Sequence, residues 1–287
     1  METMSQEVPT ASAQDRLERL FEVIRPRQRV LTAYSGGIDS TLVAAAARQA
    51  LGRENAPAAV GDSASLPRYE LDEAKKIADQ LDFELIEVAP REQDDPGYQA
   101  NAGDRCYFCK THLYTELHEL AARLGIDYIV NGTVSEDLGD HRPGLVAADE
   151  AEVISPLLEA GFTKQDVRDV ARHLGLPNWD KPASACLASR IPHGTPVTRH
   201  RLEQVEKAEG ALRQLGFSGF RVRHHEQVAR LELPWQQVER LLEAPMRERV
   251  IQAVKDAGFL FVSLDLEGFR SGSGNALLTV EGERASV

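Results

Sequence analysis

Ser35-Gly36-Gly37-Ile38-Asp39-Ser40-Thr41 lies between an apolar run at residues 30–34 and an alanine-rich run at residues 41–51. This order predicts a β-strand, a glycine turn and the start of an α-helix. Adjacent glycines adopt backbone angles that other residues avoid, and they bring backbone N–H groups close to an anion. The first turn of the helix adds unpaired N–H groups and the positive end of the helix dipole. We therefore predict that residues 35–41 form a phosphate loop, which binds a phosphate or a pyrophosphate.

The phosphate loop differs from the commonest nucleotide-binding patterns. It lacks the Gly-Lys-Ser/Thr ending of the ordinary P-loop, and the chain has no GxGxxG pattern. Ser-Gly-Gly-Ile-Asp-Ser resembles the PP-loop of the ATP pyrophosphatase family, whose members cleave ATP between its α- and β-phosphates. The resemblance implies that ATP, assisted by Mg²⁺, binds on Ser35, Gly36, Gly37, Asp39 and Ser40. Asp39 would orient the turn or bind the metal, or instead cap the helix. A tight turn without a ligand is the alternative for the whole motif.

Short apolar runs and amphipathic runs alternate along the first two-thirds of the chain. The predicted strands are residues 30–34, 58–60, 84–88, 128–131 and 153–156, and the predicted helices are 41–51, 70–81, 107–124 and 164–174. This alternation predicts an α/β fold with a doubly wound, Rossmann-like parallel sheet. Thr163 and Asp166 have the spacing of a capping box at the start of the last helix.

Ligands of such sheets bind beyond the carboxyl ends of the strands. Three segments directly follow a predicted strand: the phosphate loop, Gly61-Asp62-Ser63 and Asn131-Gly132-Thr133. We expect them to meet at one end of the sheet, where Ser63 and Gly132 would contact the nucleotide. Ordinary turn formation is the alternative for Gly61 and Gly132.

The sequence suggests three regions: a disordered tail at residues 1–15, an ATP-binding domain at 16–195 and a smaller α+β domain at 196–287. A linker at 191–198, rich in proline, glycine and threonine, separates the two domains. The second domain is predicted as helix 201–215, strands 220–224 and 228–233, helix 235–257 and strand 260–264. We expect it to bind substrate or to form a homo-oligomer.

The overall charge limits the class of partner. The formal net charge is −12, which disfavours phosphate-backbone binding and therefore tRNA as a substrate. No run reaches the ~18 apolar residues of a membrane span, and residues 1–14 lack the apolar core of a signal peptide. We expect a cytoplasmic enzyme that acts on a small molecule and binds neither nucleic acid nor membrane.

Three cysteines, Cys106, Cys109 and Cys186, are the whole cysteine content of the chain. A structural zinc site usually takes four protein ligands, and a CxxC redox pair would leave Cys186 unexplained. A structural disulfide is disfavoured in a cytosolic protein. The remaining interpretations are three unrelated thiols, or a [4Fe–4S] cluster held by three thiolates. Such clusters normally take four cysteines, so three would leave one iron open for a substrate or a sulfide.

Further motifs resemble one branch of the PP-loop family, the ATP-dependent sulfur insertases that make the nickel-pincer cofactor of lactate racemase. The matching segments are 35–41, 104–110, 131–144, 178–184, 221–223 and 268–272. Some members of the branch sacrifice a cysteine that directly follows Ala-Ser. Here that position is Ala185, and Cys186 comes one place later, so the chain is similar to the three-cysteine form of the branch.

The resemblance implies adenylylation of a carboxylate of a pyridinium dicarboxylate mononucleotide, followed by sulfur transfer from a [4Fe–4S] cluster on the three cysteines. It also assigns roles to further residues. Lys110 would neutralise the leaving pyrophosphate, and Arg142 would contact the nucleotide. Substrate would be bound by Ser189, Arg190, Arg221, Arg223, Asp137 and Glu209. Arg221 and Arg223 lie at i and i+2, on one face of a predicted strand, where guanidinium groups suit a phosphate. Salt bridges to surface acids are the alternative for these arginines.

Three other functions share parts of this pattern. An iron–sulfur-dependent tRNA thiolase would have the loop and the cysteines, but it would need a basic RNA-binding surface. An amidating synthetase of the NAD or GMP type would need an ammonia source and no cluster. A nucleotide-binding sensor without enzymatic activity would not release pyrophosphate.

Overall fold

The computed structural model describes residues 12–139 and 143–270. Its helices and strands, in chain order, are α1 (Ala13–Ile24), β1 (Val30–Ala33), α2 (Ile38–Leu51), β2 (Ala58–Gly61), α3 (Arg68–Gln80), β3 (Leu85–Val88), α4 (Pro96–Ala100), α5 (Arg105–Leu124), β4 (Tyr128–Val130), α6 (Pro143–Glu150), α7 (Pro156–Glu159), α8 (Lys164–His173), α9 (Arg199–Gln214), β5 (Arg221–His225), β6 (Val228–Glu232), α10 (Trp235–Leu242), α11 (Ala244–Asp256) and β7 (Phe261–Leu264). Two predicted features, Arg142 and the segment beyond Arg270, lie outside the described residues. No helix in the described part of the chain is long and apolar enough to cross a membrane.

The chain divides into two compact units whose segments interleave along the sequence. Among the described residues, the first unit comprises 12–61, Glu70–Ala89 and the described part of 114–183. The second comprises Asp62–Tyr69, Pro90–Leu113 and 184–270. The two-domain organisation with a boundary at 195 and an oligomerising second domain stays a prediction.

The first unit contains the predicted parallel sheet. Its strand order is β3-β2-β1-β4, and every adjacent pair is parallel. β1 lies inside the sheet, and Val30 and Leu31 are fully buried, as expected for a strand covered on both faces. The Rossmann-like α/β fold is therefore confirmed. The predicted fifth strand at 153–156 was wrong, because this segment makes a single bridge, from Ile154 to Val130, before α7 begins at Pro156.

The helical layer of the first unit is built by α1, α2 and α8, which share one hydrophobic core. α8 begins with the predicted capping box: Asp166 N donates to Thr163 Oγ1 at 3.1 Å, and Thr163 N donates to the Asp166 carboxylate at 2.9 Å. α1 begins at Ala13, within the predicted tail, with Ser12 as its cap. The capping box of Ser12 and Asp15 explains why ordered structure begins at Ala13, inside the segment predicted as a disordered tail.

The second unit contains a three-stranded sheet in the order β5-β6-β7. β5 and β6 are antiparallel, whereas β6 and β7 are parallel. The predicted single helix at 235–257 was wrong, because the chain forms α10 and α11 with an extended Glu243 between them. Pro245 explains the break: its ring lacks an N–H donor and clashes with the preceding helical turn.

The segment predicted as a linker is anchored within the second unit. Ile191 and Val197 are buried in a hydrophobic cluster there. Asn101, which is fully buried, donates from Nδ2 to the carbonyl oxygens of Pro192 at 2.8 Å and Thr195 at 2.9 Å. The proline- and glycine-rich segment at residues 191–198 is therefore an ordered connection and not a flexible linker.

Candidate functional site

The phosphate loop connects β1 to α2, as predicted. Gly37 is the N-cap of α2. Its carbonyl oxygen accepts hydrogen bonds from the hydroxyls of Ser40 at 3.1 Å and Thr41 at 2.8 Å. Ser40 Oγ in turn accepts from Ser35 N at 3.1 Å. The hydroxyls of Ser40 and Thr41 thus organise the turn from within, and the backbone N–H groups are the elements suited to bind an anion.

The two glycines of the loop are required for different reasons. Gly36 has a φ of +73°, and a Cβ there would lie 3.1 Å from the Cβ of Ala74. Gly37 has an ordinary φ of −79°. A Cβ on Gly37 would have Ser35 Oγ, at 3.4 Å, as its nearest neighbour. The fold therefore requires glycine at 36, whereas at 37 it leaves room for a methyl group at the loop surface.

Alanine substitutions at the two glycines should separate folding from binding. We expect Gly36→Ala to lower the free energy of unfolding by about 1–2 kcal/mol or more, because a side chain must adopt a left-handed conformation beside Ala74. We expect Gly37→Ala to change it by less than about 0.5 kcal/mol, yet to weaken ATP binding because a methyl group displaces the phosphate. Urea unfolding and calorimetric titration with MgATP measure both effects. Equal ATP affinity of Gly37→Ala and wild type would contradict a phosphate site at this loop.

Gly132, which follows β4, lies against the first turn of α2. A Cβ at this position would be 2.6 Å from Ser40 N and 2.8 Å from the Asp39 carbonyl carbon, so no side chain fits without displacing the helix backbone. The predicted meeting of the phosphate loop and the segment after β4 is confirmed. Ser63 belongs to the second unit, where its Oγ accepts from Ser65 N at 3.0 Å.

Asp39 lies in the first turn of α2 and pairs with a lysine that the sequence analysis missed. Lys164 Nζ lies 2.8 Å from Asp39 Oδ2 and 3.2 Å from Asp137 Oδ2. Burial raises the pKa of Asp39, although the hydrogen bond from Lys164 opposes this shift. Asp39 Oδ1 is buried and has no hydrogen-bond partner among the described residues. Asp137, predicted to bind substrate, therefore shares a lysine with the phosphate loop.

All three cysteines belong to the second unit and are free thiols. Cys106 and Cys109 lie in the first turns of α5, and Cys186 directly precedes a 3₁₀ turn at Leu187–Arg190. Burial raises the pKa of Cys109 to about 12, and the nearby charges of Cys186 and Cys106 add to the shift. The three thiols are thus close enough to influence one another electrostatically. Within the described ranges, no three Cys, His, Asp or Glu side chains are already arranged around a common metal position.

The different environments of the thiols predict an order of alkylation. Cys106 and Cys186 are exposed, whereas Cys109 is only partly exposed and has a pKa raised to about 12. Because the thiolate is the nucleophile, iodoacetamide at pH 8 should modify Cys106 and Cys186 well before Cys109 in metal-free protein. Peptide mass spectrometry over a time course measures the order. Modification of Cys109 first would contradict it.

Arg190 and Glu209, both predicted to bind substrate, form a fully buried ion pair. Arg190 Nε and Nη2 lie 2.9 and 3.1 Å from the two carboxylate oxygens of Glu209. Both side chains have 0% exposure. Arg190 also donates to the carbonyl oxygens of Ala185 at 2.6 Å and Cys186 at 2.9 Å. This geometry fixes the backbone that carries Cys186.

Arg221 and Arg223 lie on the same face of β5, as predicted, but in different environments. Arg223 pairs with the buried carboxylate of Glu232 at 2.9 Å and donates to Ser189 O at 2.9 Å. Arg221 is half-buried and stacks on Phe269, with 5.0 Å from its guanidinium carbon to the ring centroid. Burial lowers the pKa of Arg221, and the nearby charge of Arg190 lowers it further. Arg221 is therefore a partly desolvated cation, and its guanidinium group suits an anionic ligand.

Lys110 lies on α5, where its positive charge opposes the rise in the pKa of Cys109. Its predicted role at the pyrophosphate stays a prediction. The hydroxyl of Ser189 donates to Cys186 O at 2.8 Å and therefore helps to hold the same cysteine segment as Arg190.

A parallel sheet with a Ser-Gly-Gly-x-Asp-Ser loop at the start of its second helix defines an α/β protein of the PP-loop class. Residues 16–97 match the family model described as NAD synthase. An uncharacterised protein of Synechocystis sp. is 42% identical over 266 residues, which cover 93% of this chain and 99% of that protein. The pyridinium-3,5-bisthiocarboxylic acid mononucleotide synthase of Lactiplantibacillus plantarum is 41% identical over 260 residues, covering 91% of this chain and 94% of the synthase.

The chain belongs to the pyridinium-3,5-bisthiocarboxylic acid mononucleotide synthase family. A more distant similarity links it to the glutamine-hydrolysing GMP synthase of Aeropyrum pernix, which is 28% identical over 64% of this chain and 39% of that enzyme. The lower identity and the partial coverage show that this amidating enzyme is a more distant relative than the synthase of Lactiplantibacillus plantarum.

Lys164 and Asn178 were not predicted as site residues. Lys164 follows the capping residue Thr163, and the local sequence there indicates only the start of a helix. Asn178 lies in a segment noted for its resemblance, yet its amide contacts Gly36 across 142 positions of sequence. No local pattern signals such contacts, because they depend on how α8 packs in the first unit.

Proposed function

We propose that this protein is an ATP-dependent sulfur transferase that converts a carboxylate of a pyridinium dicarboxylate mononucleotide into a thiocarboxylate. The observation that carries the proposal is the similarity to the synthase over 94% of the length of that relative. The geometry of the phosphate loop supports the ATP-dependent half of the reaction, and the three neighbouring thiols support the sulfur-dependent half.

In the activation step, a substrate carboxylate oxygen attacks the α-phosphorus of ATP. The bond to the bridging oxygen breaks, pyrophosphate leaves with the electron pair, and an acyl-adenylate forms. The phosphate loop binds the β- and γ-phosphates through its backbone N–H groups, which stabilise the charge that develops on the leaving pyrophosphate. In the proposal, Ser35, Gly36, Gly37 and Ser40 line the pyrophosphate, and Ser35 contributes its hydroxyl because its N–H donates to Ser40 Oγ.

Magnesium suits the acidic side of this loop. Mg²⁺ is usually bound by one or two carboxylates together with substrate phosphates. The buried Asp39 Oδ1, which lacks a partner among the described residues, and the adjacent Asp137 provide such a pair. Lys164, which contacts both carboxylates, balances their charge and would remain next to the pyrophosphate.

The three cysteines of the second unit fit a [4Fe–4S] cluster in the kind of ligand, and one iron would be left without a thiolate. Cys106, Cys109 and Cys186 would hold it, and the buried Arg105, whose pKa is raised by the charges of Cys186 and Cys106 against the effect of burial, supplies a compensating positive charge. When bound, such a cluster would supply sulfide for transfer. Sulfide attacks the acyl carbon of the adenylate, the bond to the AMP oxygen breaks, and AMP leaves with the electron pair.

Arg221 is the residue that we propose for the substrate phosphate. Arg190, Glu209 and Ser189 act in the proposal by positioning the Cys186 segment, since their polar atoms contact one another and its backbone. Arg223 bridges Ser189 and β6 and so supports the same segment.

Replacing Arg221 should affect binding of the mononucleotide selectively. We expect Arg221→Met to raise the KM for the mononucleotide by about tenfold or more, since a charge-assisted hydrogen bond contributes about 1.5–3 kcal/mol. The KM for ATP should stay unchanged. Arg249→Met, at an exposed position of α11 in the same unit, is the matched control and should behave like wild type. A similar change in both variants would show that net charge, not Arg221, determines substrate affinity.

The direct test of the proposed function uses anaerobically reconstituted protein with ATP, sulfide and the pyridinium dicarboxylate mononucleotide. We expect AMP, pyrophosphate and a thiocarboxylate, detected by mass spectrometry, with all cysteine sulfurs retained. Pyrophosphate release dependent on tRNA would favour a thiolase, and amide formation with ammonia would favour an amidating synthetase. If no acceptor caused pyrophosphate release from ATP, a nucleotide-binding sensor without enzymatic activity would be the favoured function.

The wider role follows from the product. We propose that the thiocarboxylate enters nickel-pincer cofactor biosynthesis and thereby lactate racemase maturation, and that the reaction takes place in the cytoplasm. Homo-oligomer formation also remains a proposal.

A further inference from the structure

Asn178 lies just beyond α8 and contacts the phosphate loop directly. Its side chain is buried, with 3% exposure. Its Nδ2 lies 3.2 Å from the Gly36 carbonyl oxygen and 2.9 Å from Thr41 Oγ1. The carbonyl oxygen can only accept, and the Thr41 hydroxyl already donates to Gly37 O, so the amide nitrogen must be the group that faces the loop.

This contact determines the direction of the peptide between the two glycines. In a planar trans peptide, the C=O and the following N–H point in opposite directions. The Gly36 carbonyl is held by Asn178, and the Gly37 carbonyl is held by the hydroxyls of Ser40 and Thr41. The Gly37 N–H therefore points away from Asn178, towards Ser35 Oγ, which lies 3.4 Å from Gly37 N. A backbone N–H on this side, at the start of a helix, is suited to bind an anion.

Glycine makes this arrangement easy to lose. Gly36 has a φ of +73°, and a Gly-Gly peptide can reverse without the steric penalty that a Cβ would impose. Reversal would turn the Gly36 carbonyl towards the phosphate and the Gly37 N–H away from it. A donor fixed at the Gly36 carbonyl opposes reversal, and Asn178 is that donor.

Asn178 is itself held by a rigid segment. Lys181 N donates to Asn178 O at 3.1 Å. Lys181 Nζ lies 2.5 Å from Glu70 and 2.8 Å from Glu73 on α3, and the Lys181 side chain is 15% exposed. The neighbouring Trp179 stacks against Arg172 at 4.1 Å from its ring centroid. The segment from Asn178 to Lys181 is thereby fastened to α3 and α8.

We infer that Asn178 is a positioning residue that locks the Gly36–Gly37 peptide in its anion-binding orientation. The inference rests on the proposed function for the identity of the ligand, ATP. That the Asn178 side chain orients the loop can be tested in the absence of substrate turnover.

The test compares Asn178→Asp and Asn178→Leu with wild type. The first replaces the donor by an acceptor of the same shape, and the second removes it without adding charge. Asn55→Asp is the matched control, because Asn55 Nδ2 also donates to a carbonyl of the first unit, Leu51 O at 3.0 Å. Hydrogen exchange of the Ser35 and Thr41 amides, both bonded within the loop, and calorimetric binding of inorganic pyrophosphate are measured.

We expect both Asn178 variants to exchange these amides faster and to bind pyrophosphate more weakly by about tenfold or more, as for loss of a buried donor, while Asn55→Asp changes neither. In turnover, the KM for ATP should rise and the KM for the carboxylate substrate should not. A general loss of structure would change both constants. The inference would be overturned if the Asn178→Leu variant folded, exchanged its Ser35 and Thr41 amide hydrogens at the wild-type rate and bound pyrophosphate with wild-type affinity.

The outcomes also separate this inference from the proposed function. If wild type releases no pyrophosphate from ATP, the proposed function fails, and amide exchange still decides whether Asn178 orders the loop. If wild type turns over normally and the Asn178 variants match it, the inference alone fails.

Discussion

Replacing Cys186 with alanine should abolish thiocarboxylate formation while leaving single-turnover pyrophosphate release from ATP in place. Cys186 is exposed, so the substitution removes a thiol without opening a cavity. Loss of a ligand should lower sulfur transfer by about a hundredfold or more, because even residues outside the ligand shell typically cost about 10- to 100-fold. Anaerobic assays of thiocarboxylate and of pyrophosphate measure the two steps separately.

The companion substitutions decide which sulfur chemistry operates. If three thiolates hold a cluster, Cys106→Ala and Cys109→Ala should lose sulfur transfer as Cys186→Ala does. If Cys186 were sacrificed, its variant alone would be inactive, and wild type would lose the mass of hydrogen sulfide on turnover. If all three variants kept sulfur transfer, the thiols would have no part in the reaction.

Replacing Glu209 with alanine should strongly destabilise the second unit. Glu209 is fully buried and accepts hydrogen bonds from Arg190 at 2.9 Å, Val222 N at 3.1 Å and Arg213 at 3.1 Å. Its loss leaves the Arg190 charge buried without compensation, which typically costs about 3–5 kcal/mol. Urea unfolding measures the free energy change.

Glu226→Ala is the matched control for this prediction. Glu226 also forms a two-oxygen pair with an arginine of the second unit, Arg201, but its side chain is 66% exposed. Exposed pairs contribute about 0–1 kcal/mol. A loss below about 1 kcal/mol in Glu209→Ala would show that the buried pair is not a structural anchor. Glu209→Gln, which keeps the shape and one acceptor, should be intermediate in stability.

Local patterns predicted the elements whose causes lie within a few residues. The turn at Gly36, with its positive φ, and the capping box of Thr163 and Asp166 each depend on neighbouring atoms, so the residue types suffice. The helix predicted at 107–124 begins two residues earlier, at Arg105, so that Cys106 and Cys109 both lie in its first turns. The strand predicted at 153–156 was wrong because an apolar run alone does not reveal whether a sheet offers it a full partner.

Charged side chains were harder to interpret. Arg190 and Arg221 look alike in sequence, yet one is buried in an ion pair and the other stacks, half-buried, on Phe269. The partner of a long side chain is decided by elements distant in sequence. Lys164 and Asp39, for instance, are 125 positions apart.

The residues of the phosphate loop determined, by themselves, a strand, a glycine turn and a helix start suited to a phosphate, because backbone conformation and helix termini depend on local chemistry. The three cysteines left two sequence-based interpretations, unrelated thiols or a cluster held by three thiolates, because their number disfavours a structural zinc site and a simple redox pair. Tertiary structure alone decided that Asn178 holds the loop, that Lys164 neutralises its acidic side, and that Arg190 and Glu209 form a buried pair behind Cys186. These outcomes depend on which distant segments pack together, since burial and proximity are properties of the folded chain.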